Sequence, residues 1–259
     1  MKKQFLKIGI KASSIGGKIV SSFYKKYNTF YLKNKNNRDL VSDVDILVEN
    51  KIKDIIKKKF PIHQFEGEET GIKKTKSKFK WIIDPIDGTV NYIHGIPLFS
   101  ISIALEYNGE IILGIINNPI LNETFYASKG EGAFLNGESI KVSKRENLKD
   151  ALFVATFSSE KTISRKKKYT LFGKINDISR GCLRLGSASL GLAYLASGKI
   201  DGLWGGRLKK WDVAAGIIIL REAGGKITTT KNKSYTFGST FVATNNLLHN
   251  KLSKLLKNL

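Results

Sequence analysis

The stretch Trp81-Ile82-Ile83-Asp84-Pro85-Ile86-Asp87-Gly88-Thr89 decides how this chain is read. The apolar run at 81–83 predicts a short buried strand that delivers Asp84 to its end. Pro85 has a fixed φ and no amide hydrogen, so it stops a helix, and Gly88 permits a tight backbone. A Pro/Gly-broken loop is therefore expected over 84–97. In such a turn Asp84 and Asp87 can converge on one cation. Hard divalent ions such as Mg²⁺ take carboxylate, carbonyl and water oxygens, and one turn cannot fill the shell alone. Further acids are available in Gly67-Glu68-Glu69-Thr70, just upstream, and in Trp211-Asp212, at the start of a C-terminal helix. Singly, each has a plainer reading: Asp-Pro as a turn former, the glutamates as a solvated pair, Asp212 as a helix N-cap.

Outward from that stretch, Phe5, Ile8, Ala12, Ile15, Ile19 and Phe23 recur every three or four residues, which predicts an amphipathic core helix over 2–26. After a polar stretch at 33–37, Ser42 stands three before Asp45, as in a capping box. Val44, Leu47, Val48, Ile52, Ile55 and Ile56 continue a second helix, which Pro61 ends. Strands then dominate: 99–105 and 111–116 flank Tyr107-Asn108-Gly109-Glu110, a hairpin signal, and a meander runs on through Tyr126. From Gly186 strand and helix alternate. A helix bears Leu190, Ala193, Tyr194 and Ala196, a short strand lies near Ile200, and a helix over 212–222 stops at Gly224-Gly225. A loose boundary near residue 147 divides an α+β half, 1–147, from an α/β half, 148–259, joined as one compact catalytic unit.

At 259 residues and 41% hydrophobic content the chain can bury a sizeable core, which excludes disorder for most of it. No apolar run approaches the ~20 residues that cross a bilayer, and lysines interrupt the N-terminal apolar positions, so an unprocessed cytoplasmic protein without a membrane partner is expected. The lone cysteine, Cys182, cannot form an internal disulfide and reads as a packing residue. Net charge is +22, from 44 basic against 22 acidic residues, and only seven of the basic ones are arginines. The lysines are scattered, which reads as a compositional bias favouring solubility rather than as a gathered nucleic-acid surface. The 165–168 run is expected to be a solvated turn or helix face. Gly16-Gly17-Lys18 fails as a P-loop because Ala12 and Ile19 occupy positions that need Gly and Ser or Thr. His63, His94 and His249 form no local motif and are expected on the surface or in loops.

In order and wording together, the acidic segments resemble the inositol monophosphatase family of Mg²⁺-dependent phosphomonoesterases. The matching text is GEE at 67–69, WIIDPIDGTVNYIHGIP at 81–97 and WDVAAGIIILREAGG at 211–225. Further similarity lies in DLVSDVD at 39–45, GEGAFLNG at 130–137 and RLGSA at 184–188. The resemblance implies an α/β fold of the layered αβαβα sugar-phosphatase type and two or three Mg²⁺ ions. Glu68, Asp84 and the carbonyl of Ile86 would hold one ion; Asp84, Asp87 and Asp212 would hold another, with Asp84 bridging. Glu69 would stand behind them or complete a third, weaker position. The ions would clamp the phosphate and acidify a water that attacks phosphorus in line, with no covalent phospho-enzyme. Asp45 and Thr89, with Glu68, would serve that water catalytically. Backbone N–H groups of Gly88 and Thr89 would bind phosphate. Gly186, Ser187 and Ala188 would meet the alcohol, with Asp87 and Asp212 completing the substrate contacts. A homodimer is implied by the resemblance alone.

The chain departs from the family's wording in Asp201-Gly202-Leu203-Trp204-Gly205-Gly206, where Gly205 stands in place of a Glu that usually accepts substrate hydroxyls. Asn34 likewise stands where the family often has Lys. Loss of a fixed polar partner loosens discrimination among sugars. The leading expectation is hydrolysis of inositol 1-phosphate or a similar polyol phosphate. The same chemistry on 3′-phosphoadenosine 5′-phosphate, fructose 1,6-bisphosphate or a dinucleotide 2′-phosphate is the alternative. A reading of another class keeps the fold for contacts with RNA or the transcription machinery, using Arg184 and the scattered lysines.

Overall fold

A computed structural model describes residues 2–24, 32–34, 40–157 and 165–257. The chain opens with α1 (Lys2–Tyr24), a short antiparallel pair β1 (Leu32–Asn34) and β2 (Leu40–Ser42), and α2 (Asp43–Lys59). Positions 25–26, 35–37 and Asp39, read above within the first helix, the polar stretch and the DLV segment, lie outside the described residues.

Next come β3 (Gln64–Gly67), β4 (Gly71–Lys73), β5 (Phe79–Asp87), α3 (Thr89–Ile93), β6 (Ser100–Tyr107), β7 (Glu110–Asn118), β8 (Glu123–Ser128), β9 (Ala133–Leu135) and β10 (Glu138–Ile140). These strands form an 8-stranded sheet in the order β10-β9-β8-β7-β6-β5-β3-β4, antiparallel except where β3 runs parallel to β5. Asn108 and Gly109 both have positive φ, as the tight β6–β7 turn requires. The remaining elements are β11 (Leu152–Phe157), α4 (Arg165–Asp177), β12 (Gly181–Leu183), α5 (Ala188–Ala196), β13 (Gly202–Gly206), α6 (Lys210–Glu222), β14 (Lys226–Thr229), β15 (Phe241–Thr244) and α7 (His249–Leu256). Their strands make a 5-stranded sheet ordered β12-β11-β13-β15-β14.

Alternation along the strands sorts side chains into three cores and builds the αβαβα layering. One face of the large sheet (Trp81, Ile83, Ile101, Ile103, Leu105) packs on Phe5 and Ala12 of α1 and on Val48 and Ile52 of α2. Its other face (Ile82, Ala104, Ile116) packs on α5 and α6, which are covered beyond by Leu203, Phe241 and Ala243 of the small sheet. The outer face of the small sheet (Phe153, Trp204, Val242) packs on Ile175 of α4 and Leu252 of α7. Because α5 and α6 are covered by a sheet on each side, they are buried nearly all round.

Four expectations need correction. The strand beginning at Trp81 does not end before Asp84; β5 continues through Asp87 with a bulge between Asp84 and Asp87, and α3 then breaks the expected loop. The strand expected near Ile200 lies at Gly202–Gly206. His63 and His249 are buried core residues, His63 stacked between Phe60 and Phe79 and accepting from Trp81 Nε1 at 3.0 Å, and only His94 is exposed. Within the basic run Lys168 is 7% exposed and lies over the Phe157 ring, so that helix face is only partly solvated.

Candidate active site

The site grows from the end of β5. In register, Gly67 of β3 is opposite Ile83, and the Glu68 N–H donates to Ile83 O at 3.2 Å, so the turn after β3 sets Glu68 beside Asp84. Asp84 is 1% exposed, and its Oδ1 accepts the Ile86 N–H at 3.0 Å, closing the bulge that re-aims the strand end. Ile86 O accepts the Thr89 hydroxyl at 3.1 Å. Gly88, at φ 100, begins α3 with no side-chain cap, which leaves the first amide groups of that helix open to an anion.

Asp87 is held from across the site. Its Oδ2 accepts the hydroxyls of Ser187 and Ser189 at 2.5 and 2.6 Å and the Ser189 N–H at 2.7 Å, at the start of α5. Ser189 Oγ also lies 2.8 Å from Ser100 Oγ on β6, which fixes α5 to the sheet. Gly186, at φ 80, passes so close to Asn91 that a Cβ would sit 2.6 Å from its Nδ2, and that amide donates to Leu98 O and Leu185 O. Ser187 and the segment after it are thus engaged with Asp87 itself. Asp212 arrives on the first turn of α6, where Ser102 Oγ donates to Trp211 O at 3.0 Å and Asp212 Oδ2 accepts the Lys209 N–H at 2.8 Å.

These placements crowd negative charge. Burial, then Asp212, Glu69 and Asp45, push the Glu68 carboxyl up to about 8, offset in part by a hydrogen bond with Asp84. Glu68 is exposed as a residue, while its carboxyl feels the charges of the other acids and shares a hydrogen bond with Asp84. Asp84 is raised well above the usual carboxylate range by burial, then Glu68, Asp87, Asp212 and Asp45. Asp212 is pushed up to about 7 by burial and Asp87, and Asp87 is raised by burial against the pull of its serines. Asp45, 2% exposed on the first turn of α2, adds its field to Glu68 and Asp84.

Carboxylates crowded so that each raises its neighbours' proton affinity are the donor set a divalent cation neutralises. That chemistry fits Mg²⁺. Among the described residues, no three His, Cys, Asp or Glu side chains are grouped to hold an ion as they stand. One oxygen, Oδ2, of each of Asp87 and Asp212 accepts hydrogen bonds, from the α5 serines and from the Lys209 N–H respectively. Reading the sequence missed Ser189 and Asn91. Their partners lie about a hundred residues away, and no local pattern announces them.

Gly205 belongs to a wholly buried strand, and a Cβ there would come within 2.0 Å of Thr156 O on β11. The backbone leaves no room for the acidic side chain that the family's wording would place there.

A sequence model of the inositol monophosphatase family matches residues 1–259. The fructose-1,6-bisphosphatase/inositol-1-monophosphatase of Thermotoga maritima is 40% identical over 224 residues, covering 85% of this chain and 83% of that protein. The Nus factor SuhB of Pseudomonas aeruginosa is 35% identical over 228 residues, covering 86% and 84%. Among solved structures, the extragenic suppressor protein suhB of Bartonella henselae superposes with a TM-score of 0.94 at 33% identity, covering 98% of this chain and 99% of that one. Agreement with the family's sequence model along the whole length, and in fold with a solved structure of similar sequence, has one meaning: the chain belongs to the inositol monophosphatase family.

Proposed function

We propose that this phosphoric monoester hydrolase releases inorganic phosphate from inositol 1-phosphate or a similar polyol phosphate, using two or three Mg²⁺ ions. The observation that carries the reading is the set of mutually repelling acids Glu68, Asp84, Asp87 and Asp212 beside the uncapped start of α3. A cation site and an anion site share one border there, as a metal-held phosphate requires. The family depends on a divalent metal, generally Mg²⁺. When bound, Mg²⁺ supplies Lewis acidity toward a phosphoryl oxygen and an attacking water.

The chain's own residues do the rest. Glu68, Asp84, the Ile86 carbonyl, Asp87 and Asp212 hold the cations. Amide groups of Gly88 and Thr89 receive phosphate oxygens, and Asp45 with Thr89 orients the water toward phosphorus. The two halves, 1–147 and 148–259, act as one catalytic unit, with Asp87 from the first held by α5 of the second. Gly186 borders the alcohol side, with Ser187 and Ala188 reaching it through their grip on Asp87. A homodimer working in the cytoplasm belongs to the same reading. No described helix is long and apolar enough to cross a membrane.

The crowded backbone at Gly205 favours a second substrate, fructose 1,6-bisphosphate, because an acceptor for inositol hydroxyls is absent from that strand. The Thermotoga relative is named for both activities. Phosphate release from the two esters and from 3′-phosphoadenosine 5′-phosphate, with and without Mg²⁺, tests the reading, with Asp87→Asn as control. Turnover that needs Mg²⁺ and vanishes in the variant is expected. A folded, Mg²⁺-binding protein that turns over none of them would contradict it and favour a transcriptional role like that named for the Pseudomonas relative.

A further inference from the structure

The turn that presents Glu68 is anchored by an acid outside the cluster. Glu49 lies on α2 one helical turn beyond Asp45, so both carboxylates leave the same face of the helix. Glu49 is 0% exposed. Its Oε2 accepts the Glu69 N–H at 2.9 Å, and its Oε1 accepts the Thr70 N–H at 3.2 Å and the Thr70 hydroxyl at 2.5 Å. Lys53, four residues on, donates to Oε1 at 2.6 Å and neutralises the buried charge. Since the Glu68 N–H is taken by Ile83 O, three consecutive amides of the turn are fixed, one by β5 and two by Glu49. Gly67 shows how tight the arrangement is, for a Cβ there would stand 2.1 Å from Glu49 Oε1. The glycine that opens the GEE segment is thus required by the approach of Glu49.

We propose that Glu49 is a positioning residue: its buried carboxylate locks the turn at 68–70 and thereby holds the Glu68 carboxyl against Asp84 at the strength needed to bind a divalent ion. The inference rests on the reading of Glu68 and Asp84 as cation ligands. Its chemistry is that of an anion caged by backbone amides, here used to aim a neighbouring side chain rather than to bind a ligand. Glu49→Gln keeps the shape but turns an amide NH₂ toward an N–H donor, so one anchor of the turn is lost.

The test measures binding of Mn²⁺ alone, by electron paramagnetic resonance, to full-length wild type and Glu49→Gln at a temperature where both are folded. The Mn²⁺ Kd is expected to rise about tenfold or more in the variant. Raising Mg²⁺ should restore turnover, with KM for the phosphate ester at saturating metal unchanged. A variant that melts earlier in EDTA yet keeps the wild-type Mn²⁺ Kd and Mg²⁺ requirement would overturn the proposal, because its role would then be structural only. Wild type that binds no Mn²⁺ would overturn the underlying metal reading instead, and the proposal with it. If Glu49→Gln does not fold, Gly67→Ala displaces the same carboxylate from the other side, and unaltered Mn²⁺ affinity there would overturn the proposal equally.

Discussion

A carboxyl as deeply buried as that of Asp84, with four acids raising its proton affinity, is held in place chiefly by the surrounding fold, with the Ile86 N–H donating to its Oδ1. Asp84→Asn removes that repulsion. The variant should melt several degrees higher than wild type in EDTA while losing at least ~100-fold in Mg²⁺-dependent turnover, read by calorimetry and by phosphate release. A second residue sets a pH response unrelated to catalysis. Burial, then Lys226, pushes His249 down to about 4, and its ring nitrogens are engaged by Thr228 at 2.9 Å and Thr244 at 3.1 Å. Below the unfolded value of 6.5 the unfolded chain binds the proton that the folded chain refuses, so stability falls with pH between 6.5 and about 4. The slope attributable to this group reaches about 1.4 kcal/mol per pH unit. His249→Gln should flatten the fall in urea midpoints measured across that range, whatever its effect at neutral pH.

Among the elements, the sequence made α1, α2, the β6–β7 hairpin, α5 and α6 legible because each carries a local signal: a 3.6-residue stripe, Asn-Gly at a turn, or Gly-Gly at a helix end. The acids of the candidate site were legible for a different reason, namely the wording of three short segments. The bulged extension of β5 through Asp87 was not, since Pro85 reads as a terminator until the partner strand β6 supplies Ser102 and Ser100 opposite Asp84 and Asp87. Nor could spacing show that α5 grips Asp87 or that Glu49 grips the GEE turn, because both are long-range contacts between polar groups. The packing of α6 on β7 is likewise invisible in one dimension. A Cβ on Gly114 would stand 2.4 Å from Ala215 O, against backbone that cannot yield. Gly114→Val should therefore destabilise the fold by about 3 kcal/mol in urea titrations and loosen α6, lowering Mg²⁺ affinity through Asp212.

At the scale of the whole molecule, a chain of net charge +22 keeps a compact acidic centre where its two sheets and their shared helices meet. A net charge of that sign would attract phosphate esters over a distance, and turnover at subsaturating substrate should then fall as salt rises while turnover at saturation holds. On the proposed reading the centre is a liability until a cation arrives, which would link binding to folding. Calorimetric melting of wild type and Asp84→Asn along a Mg²⁺ titration tests this central claim most directly. Wild type should gain stability saturably, by about 2.7 kcal/mol at a hundredfold excess over Kd, and the variant should gain far less. Melting of wild type that is indifferent to Mg²⁺, or that rises equally in both proteins, would contradict the assignment of these acids as the metal centre.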